Sequence, residues 1–279
     1  MTIPKKHIGR RKFDASGRPP VVKDGDVIML GKHKLLCGDS SKQETIDELL
    51  GGTEIGTFVY DPEWNDLVLL DYDCPHKLVF SSGLELPKCL EMFGIPTFLF
   101  NWIPGRVYPV SGNNRPWLSS KYCLWYGTWK MYYNRFQWGR EKVLTGISRG
   151  ARGVPYIAKP GIQPLADIFE LRKNTNIFPG KWHRHEKPWP WIAMILANCT
   201  EGNVLDPFAG AGTAMVACEK IGGRVCYMAE LIPEVCERII ERYIATFSRY
   251  DDTIILNGNP VRWYKIRNPI KMYVDTPKE

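Results

Sequence analysis

Short apolar runs at Val27–Leu30 and His33–Cys37 flank Gly31-Lys32, a spacing that predicts a hairpin. A helical period over residues 42–50 follows and is closed by Gly51-Gly52. Thr57–Tyr60 reads as a buried strand that stops abruptly at Asp61-Pro62-Glu63-Trp64. Residues 78–80 and 97–102 are further strand candidates, with a helix at Leu86–Phe93 between them. The stretch from 103 to 182 has no clean helical period and many Gly, Pro and Asn residues. It reads as an irregular insert with a few strands, one of them at Lys121–Tyr126. Regular alternation resumes at Pro188, with a helix over 189–199, a strand over 203–206 and a helix over 212–221. A strand over 224–229 and a helix from 233 to about 247 complete the pattern; Pro188 and Pro233 suit helix starts. Strands alternating with helices imply an α/β chain, doubly wound around a mostly parallel sheet with both faces covered. There is no internal repeat.

Composition adds constraints. The 279 residues suffice for one large core plus an insert, and no apolar run has membrane-spanning length. The eight cysteines form no Cys-x-x-Cys pair, which argues against a zinc site and fits reduced thiols in a cytoplasm. Net charge is +7, but it is unevenly spread. Residues 104–184 carry 14 Lys or Arg against three acids, a net +11, while the rest of the chain has 23 against 27, a net −4. That same segment holds 14 aromatics. Cations neutralise phosphates and aromatic faces stack on bases, so the segment suits nucleic acid; an aromatic-rich core with solvated lysines is the plainer alternative. A basic stretch from Lys5 to Arg18 reads as a flexible arm.

Candidate chemistry centres on Val204-Leu205-Asp206-Pro207-Phe208-Ala209-Gly210-Ala211-Gly212-Thr213. A buried strand ends in an acid, and a loop of small residues then opens a helix whose N–H groups face a ligand. The next strand ends in Glu230, an acid suited to ribose hydroxyls. Dinucleotide-binding and S-adenosylmethionine-binding folds share this pairing, so a nicotinamide oxidoreductase stays open at this point.

Asp-Pro-Phe-x-Gly-x-Gly-Thr, preceded by His185-Glu186-Lys187-Pro188, resembles the cofactor half of the permuted β-class amino-methyltransferases of DNA. Their Gly-Asp-Ser and Asp-Pro-Pro-Tyr motifs lie upstream, where this chain has Gly38-Asp39-Ser40 and Asp61-Pro62-Glu63-Trp64. The resemblance covers roughly residues 28–102 and 178–247. It implies a Rossmann-like methyltransferase sheet with circularly permuted motif order and an inserted target-recognition region. Under it the chain divides into a basic arm (1–26), a catalytic half (27–102), a recognition insert (103–182), a cofactor half (183–250) and a C-terminal extension (251–279).

The implied cofactor is S-adenosyl-L-methionine. Asp206, Phe208, Gly210 and Gly212 would line its methionine part, with Thr213 opening the helix beneath. Glu230 would hold the ribose, Asp39 would contact the adenine end, and Lys187 would close the pocket. The implied acceptor is an exocyclic amine of a base flipped out of double-stranded DNA, adenine N6 first. Asp61 would supply a carboxylate and Pro62 a carbonyl to the amine, and Trp64 would stack on the base. No metal is implied, although His183 and His185 beside Trp182 are a conceivable pair. Glu63 departs from the family's second proline, restoring an N–H and adding a charge. It leaves three outcomes: an active enzyme, a loop re-aimed by a cation such as Arg115, or a non-catalytic DNA-binding homologue. Cytosine N4 and RNA stay open as acceptors, and so does a homodimer. The resemblance places the protein in the cytoplasm of a bacterium or of a phage-infected host, in the manner of restriction–modification enzymes.

Overall fold

Successive residues of the central strands enter two different cores, which is what a sheet covered on both faces requires. The computed structural model describes residues 19–62, 68, 70–103, 121–128, 168–170, 186–247 and 254–266. Expectations for the arm before residue 19, most of the insert, Glu63, Trp64, Arg115, the 183–185 histidines and the chain after 266 lie outside the described residues.

The strands are β1 (Val27–Leu30), β2 (His33–Cys37), β3 (Thr57–Tyr60), β4 (His76–Ser82), β5 (Phe98–Ile103), β6 (Lys121–Tyr126) and β7 (Ile168–Glu170). They continue with β8 (Val204–Asp206), β9 (Cys226–Glu230), β10 (Ile254–Leu256) and β11 (Asn259–Val261). The helices are α1 (Gln43–Leu50), α2 (Leu86–Phe93), α3 (Trp189–Cys199), α4 (Thr213–Ile221), α5 (Pro233–Thr246) and the short α6 (Trp263–Ile266). All the described strands join one sheet in the order β11-β10-β1-β2-β9-β8-β3-β4-β6-β5-β7.

Leu35, Val59, Leu78, Val204 and Met228 enter the core beneath α3, α4 and α5. Their neighbours Leu36, Phe58, Val79, Leu205 and Ala229 enter the opposite core, beneath α1 and α2. The helices follow from their own sequences. Gly51 takes the left-handed conformation at φ 55° and ends α1, with its N–H on the Asp47 carbonyl. The eleven residues of α3 are all buried, as befits a helix apolar on every side.

The expectation of a mostly parallel sheet holds for its centre and for the edge pair β5–β7. Strands β2, β9, β8, β3 and β4 run parallel, whereas β1, β10, β11 and β6 pair antiparallel with their neighbours. Alternation with helices constrains only strands joined by a helical crossover, and tight turns join β1 to β2 and β10 to β11. The sequence reading placed no strand at β7, β10 or β11. The last two form a hairpin about Asn257-Gly258, both at positive φ (49° and 78°), and β10 pairs with β1.

From β8 the chain moves through α4 to β9 on one side; from β3 it moves to β4 on the other. The crevice between the carboxyl ends of β8 and β3 is therefore a topological switch point, where open α/β sheets bind ligands. No helix among the described residues is long and apolar enough to cross a membrane.

Two contacts hold this frame. At the opposite end of β3, a Cβ on Gly56 would stand 2.3 Å from the Glu201 carbonyl and 2.8 Å from Gly202 Cα. Both are backbone atoms, so Gly56→Ala is expected to cost about 1–3 kcal/mol in urea unfolding. His33 is fully buried; its Nδ1 accepts from the Cys226 N–H (3.0 Å), leaving Nε2 to donate to Glu219 (3.1 Å). Burial pulls its pKa down from 6.5 to about 4, partly opposed by Glu219. Between those values the unfolded chain binds a proton that the folded chain refuses, so stability falls as pH drops through this window. A loss of roughly 2 kcal/mol from pH 7 to pH 5 is expected, and His33→Gln should flatten that slope.

Candidate active site

Two acid-bearing turns face each other across the switch point. Strand β3 runs straight into Asp61-Pro62, and Pro62 is buried. Tyr60, the last residue of the strand, donates its hydroxyl to the Val68 carbonyl (2.7 Å), tying the connection that begins at Asp61 back to the strand end. Strand β8 ends in Asp206, which is 4% exposed, and the glycine loop follows. Phe208 leaves that loop to meet Tyr60 edge-on, with ring centroids 5.5 Å apart.

The glycine loop is held from several sides. Ala209 N–H donates to the Ala229 carbonyl (3.0 Å) and Gly212 N–H to the Ala209 carbonyl (2.7 Å). Gly212 precedes α4 in the left-handed conformation, at φ 67°, and makes no side-chain cap, so the first turn of α4 presents N–H groups to the crevice. A Cβ at Gly212 would meet Ile239 of α5 at 3.0 Å. Thr213 faces downward, its hydroxyl accepting from Arg242 (3.1 Å). The Glu230 carboxylate accepts from the N–H groups of Gly210 and Ile232, both at 2.9 Å. Its carbonyl accepts from Gly38 N–H (2.9 Å), which sets Asp39 beside it. Asp39 in turn accepts from the Ser41 N–H (3.0 Å) and hydroxyl (2.7 Å).

Asp61, Asp206 and Glu230 thus gather at three adjacent strand ends. Lys187, just before α3, is buried and ion-paired with Asp61 Oδ2, and it lies 5.1 Å from the centroid of the Phe80 ring. The sequence reading assigned Lys187 to the cofactor pocket; the structure sets it on the carboxylate read as catalytic. Burial raises the Asp206 pKa to about 7, with the Asp61 charge next in weight and Glu230 adding to it; Phe208 N–H and Lys187 oppose.

Sequence reasoning missed several residues here. Lys121 is buried at the start of β6, opposite Ser82 of β4, which puts it at the carboxyl edge of the parallel strands. Burial and the Lys187 charge lower its pKa to about 8, while Glu85 and Asp61 oppose. Its signal was a charge in phase with the inward Cys123 and Trp125. Leu231 and Ile232 are apolar yet exposed, next to Glu230. Arg242, fully buried on α5, binds the Ala211 carbonyl (2.6 Å) and pairs with Glu186. Among the described residues, no group of three His, Cys, Asp or Glu is placed to hold a metal ion.

No protein-family model matches the chain, and no curated protein matches it either. Solved structures do. The M1.HpyAVI–SAM complex is similar at 16% identity and TM-score 0.47, over 75% of this chain and 98% of that one. The PvuII DNA methyltransferase, cytosine-N4-specific, is similar at 14% and 0.48, over 78% and 92%. TTHA0409 from Thermus thermophilus, complexed with S-adenosyl-L-methionine, is similar at 17% and 0.44, over 76% and 93%.

The raised Asp206 pKa has a measurable consequence. From pH 4 to pH 7 the folded chain keeps a proton that the unfolded chain has lost, so this residue's contribution to stability declines as pH rises. Asp206→Asn is expected to leave stability near pH 4 nearly unchanged and to raise it at pH 8, by on the order of 4 kcal/mol in chemical unfolding.

Proposed function

We propose that this chain transfers a methyl group from S-adenosylmethionine to an exocyclic amine of a DNA base, adenine N6 first, on a base turned out of the duplex. The observation that carries this reading is the meeting of Asp61-Pro62 and the Asp206–Gly212 loop across the β3/β8 switch point, with Lys187 on Asp61.

The charge of the site selects the cofactor class. Three carboxylates crowd this edge, and their repulsion helps raise the Asp206 pKa. A ligand with an ammonium and a sulfonium relieves that repulsion. A dinucleotide would bring a pyrophosphate against the same acids, which disfavours the oxidoreductase alternative. Asp206 and the glycine loop would hold the amino-acid end, with the N-terminus of α4 toward its carboxylate. Glu230 would take the ribose, and Asp39 with the exposed Leu231 and Ile232 would flank the adenine. When bound, the cofactor supplies a methyl carbon activated by a positive sulfonium.

The chain's own catalytic work is orientation. The lone pair of an exocyclic amine is delocalised into the ring, and hydrogen bonds to Asp61 and the Pro62 carbonyl favour a pyramidal nitrogen. Lys187 fixes one oxygen of Asp61, and the other, Oδ1, would accept from the amine. Trp64 would stack on the base. The strand bearing Asp61 precedes the glycine loop in the chain, which fits the circularly permuted order, and the +11 segment at 104–184 fits a DNA-recognition insert.

Incubating the protein with methyl-labelled cofactor and, in parallel, mixed-sequence DNA or RNA, then separating nucleosides by mass spectrometry, tests this. N6-methyladenine is expected, and Asp61→Ala should lower its formation at least about 100-fold while cofactor binding persists. Label in cytosine N4 or only in RNA would reassign the acceptor. Cofactor binding with no transfer to either would mark a non-catalytic DNA-binding homologue.

A further inference from the structure

Glu186 and Lys187 are consecutive residues whose side chains reach opposite halves of the site. Lys187 holds Asp61 beyond β3, while Glu186 pairs with Arg242 of α5. Arg242 in turn donates to the Ala211 carbonyl at the crest of the glycine loop (2.6 Å) and to the Thr213 hydroxyl (3.1 Å). It is fully buried, and burial lowers its pKa against the opposing Glu186 charge. A guanidinium in that setting is held only by charge and hydrogen bonds of good geometry, so Arg242 fixes its partners as firmly as they fix it.

We propose that Arg242 is a positioning residue for both halves of the site: through its fork it locks the glycine loop to Glu186, and so sets where Lys187 places Asp61. The tie runs Ala211–Arg242–Glu186–Lys187–Asp61, with one covalent link and the rest polar contacts. It joins the turn that follows β8 to the turn that follows β3, two elements distant in sequence that must agree in register for any transfer between their ligands. Ile239, one turn earlier on α5, supports the loop by packing at Gly212, so Arg242 supplies the polar part of a two-point seat. A lysine cannot reproduce this, because its single ammonium lacks the planar fork that reaches a carbonyl and a carboxylate together.

Hydrogen exchange on the full chain tests the tie without any ligand. In Arg242→Lys and in Glu186→Gln, amides of the glycine loop (Gly210, Gly212) and of the first turn of α3 (Trp191, Ile192) should quicken together, by at least about tenfold, while α1 on the other face stays unchanged. Loss of protection in the loop alone, or in neither segment, overturns the inference; global unfolding would show instead as faster exchange in α1. A second arm rests on the methyl-transfer reading. With saturating cofactor, Arg242→Lys should lower kcat, and adding Lys187→Met should lower it little further, because both act on Asp61. Multiplicative losses would mark Arg242 as merely structural. Should the wild-type protein bind no S-adenosylmethionine, the functional reading fails, and the exchange result still decides whether the tie exists.

Discussion

Three carboxylates converge where β3, β8 and β9 end, and the architecture of the site is the set of devices that contain their repulsion. Each is handled differently. Asp61 is answered by the buried ammonium of Lys187. Glu230 is answered by two backbone N–H groups, which also fasten the glycine loop to the β9 end. Asp206, nearly sealed from solvent and bonded to Phe208 N–H, keeps a pKa of about 7. Glycine at 210 and 212, the cap-free start of α4 and the buried fork of Arg242 are arranged around this cluster. Acids stored at a strand edge in this way favour a cationic guest, which is the physical content of the cofactor reading.

Much of this frame was legible in the sequence. Sequence pattern found the central strands and all five long helices within a residue or two: α1, α2 and α5 each bury an apolar face in a way that leaves a period, while α3, buried on every side, showed as an apolar run opened by Pro188. The two motif ends, Asp61-Pro62 and Asp206 to Thr213, were legible as abrupt polar stops after buried strands, and the fold brings them together. The Asn257-Gly258 hairpin also carried a legible signal, two residues suited to positive φ between apolar neighbours, yet no strand was read there.

What escaped sequence reading depends on contacts between distant residues. Arg242 is one of many charges on an amphipathic helix until α5 is laid beneath the glycine loop. Lys121 lies on the strand that was read correctly, but its proximity to Asp61 and Lys187 requires β6 to run antiparallel beside β4. Antiparallel flanks escape the alternation argument for the same reason: pairing is set by neighbours in space. Lys187 is a similar case: the resemblance put it at the cofactor pocket, and only the fold brings its ammonium onto Asp61.

Titration calorimetry compares the cofactor reading with its rival directly. With the purified chain at pH 8, S-adenosylmethionine and its demethylated product S-adenosylhomocysteine should each bind at one site, and Asp206→Ala and Gly210→Val should abolish that heat; NAD should give none. Saturable NAD binding with no heat from S-adenosylmethionine would contradict the account at its centre.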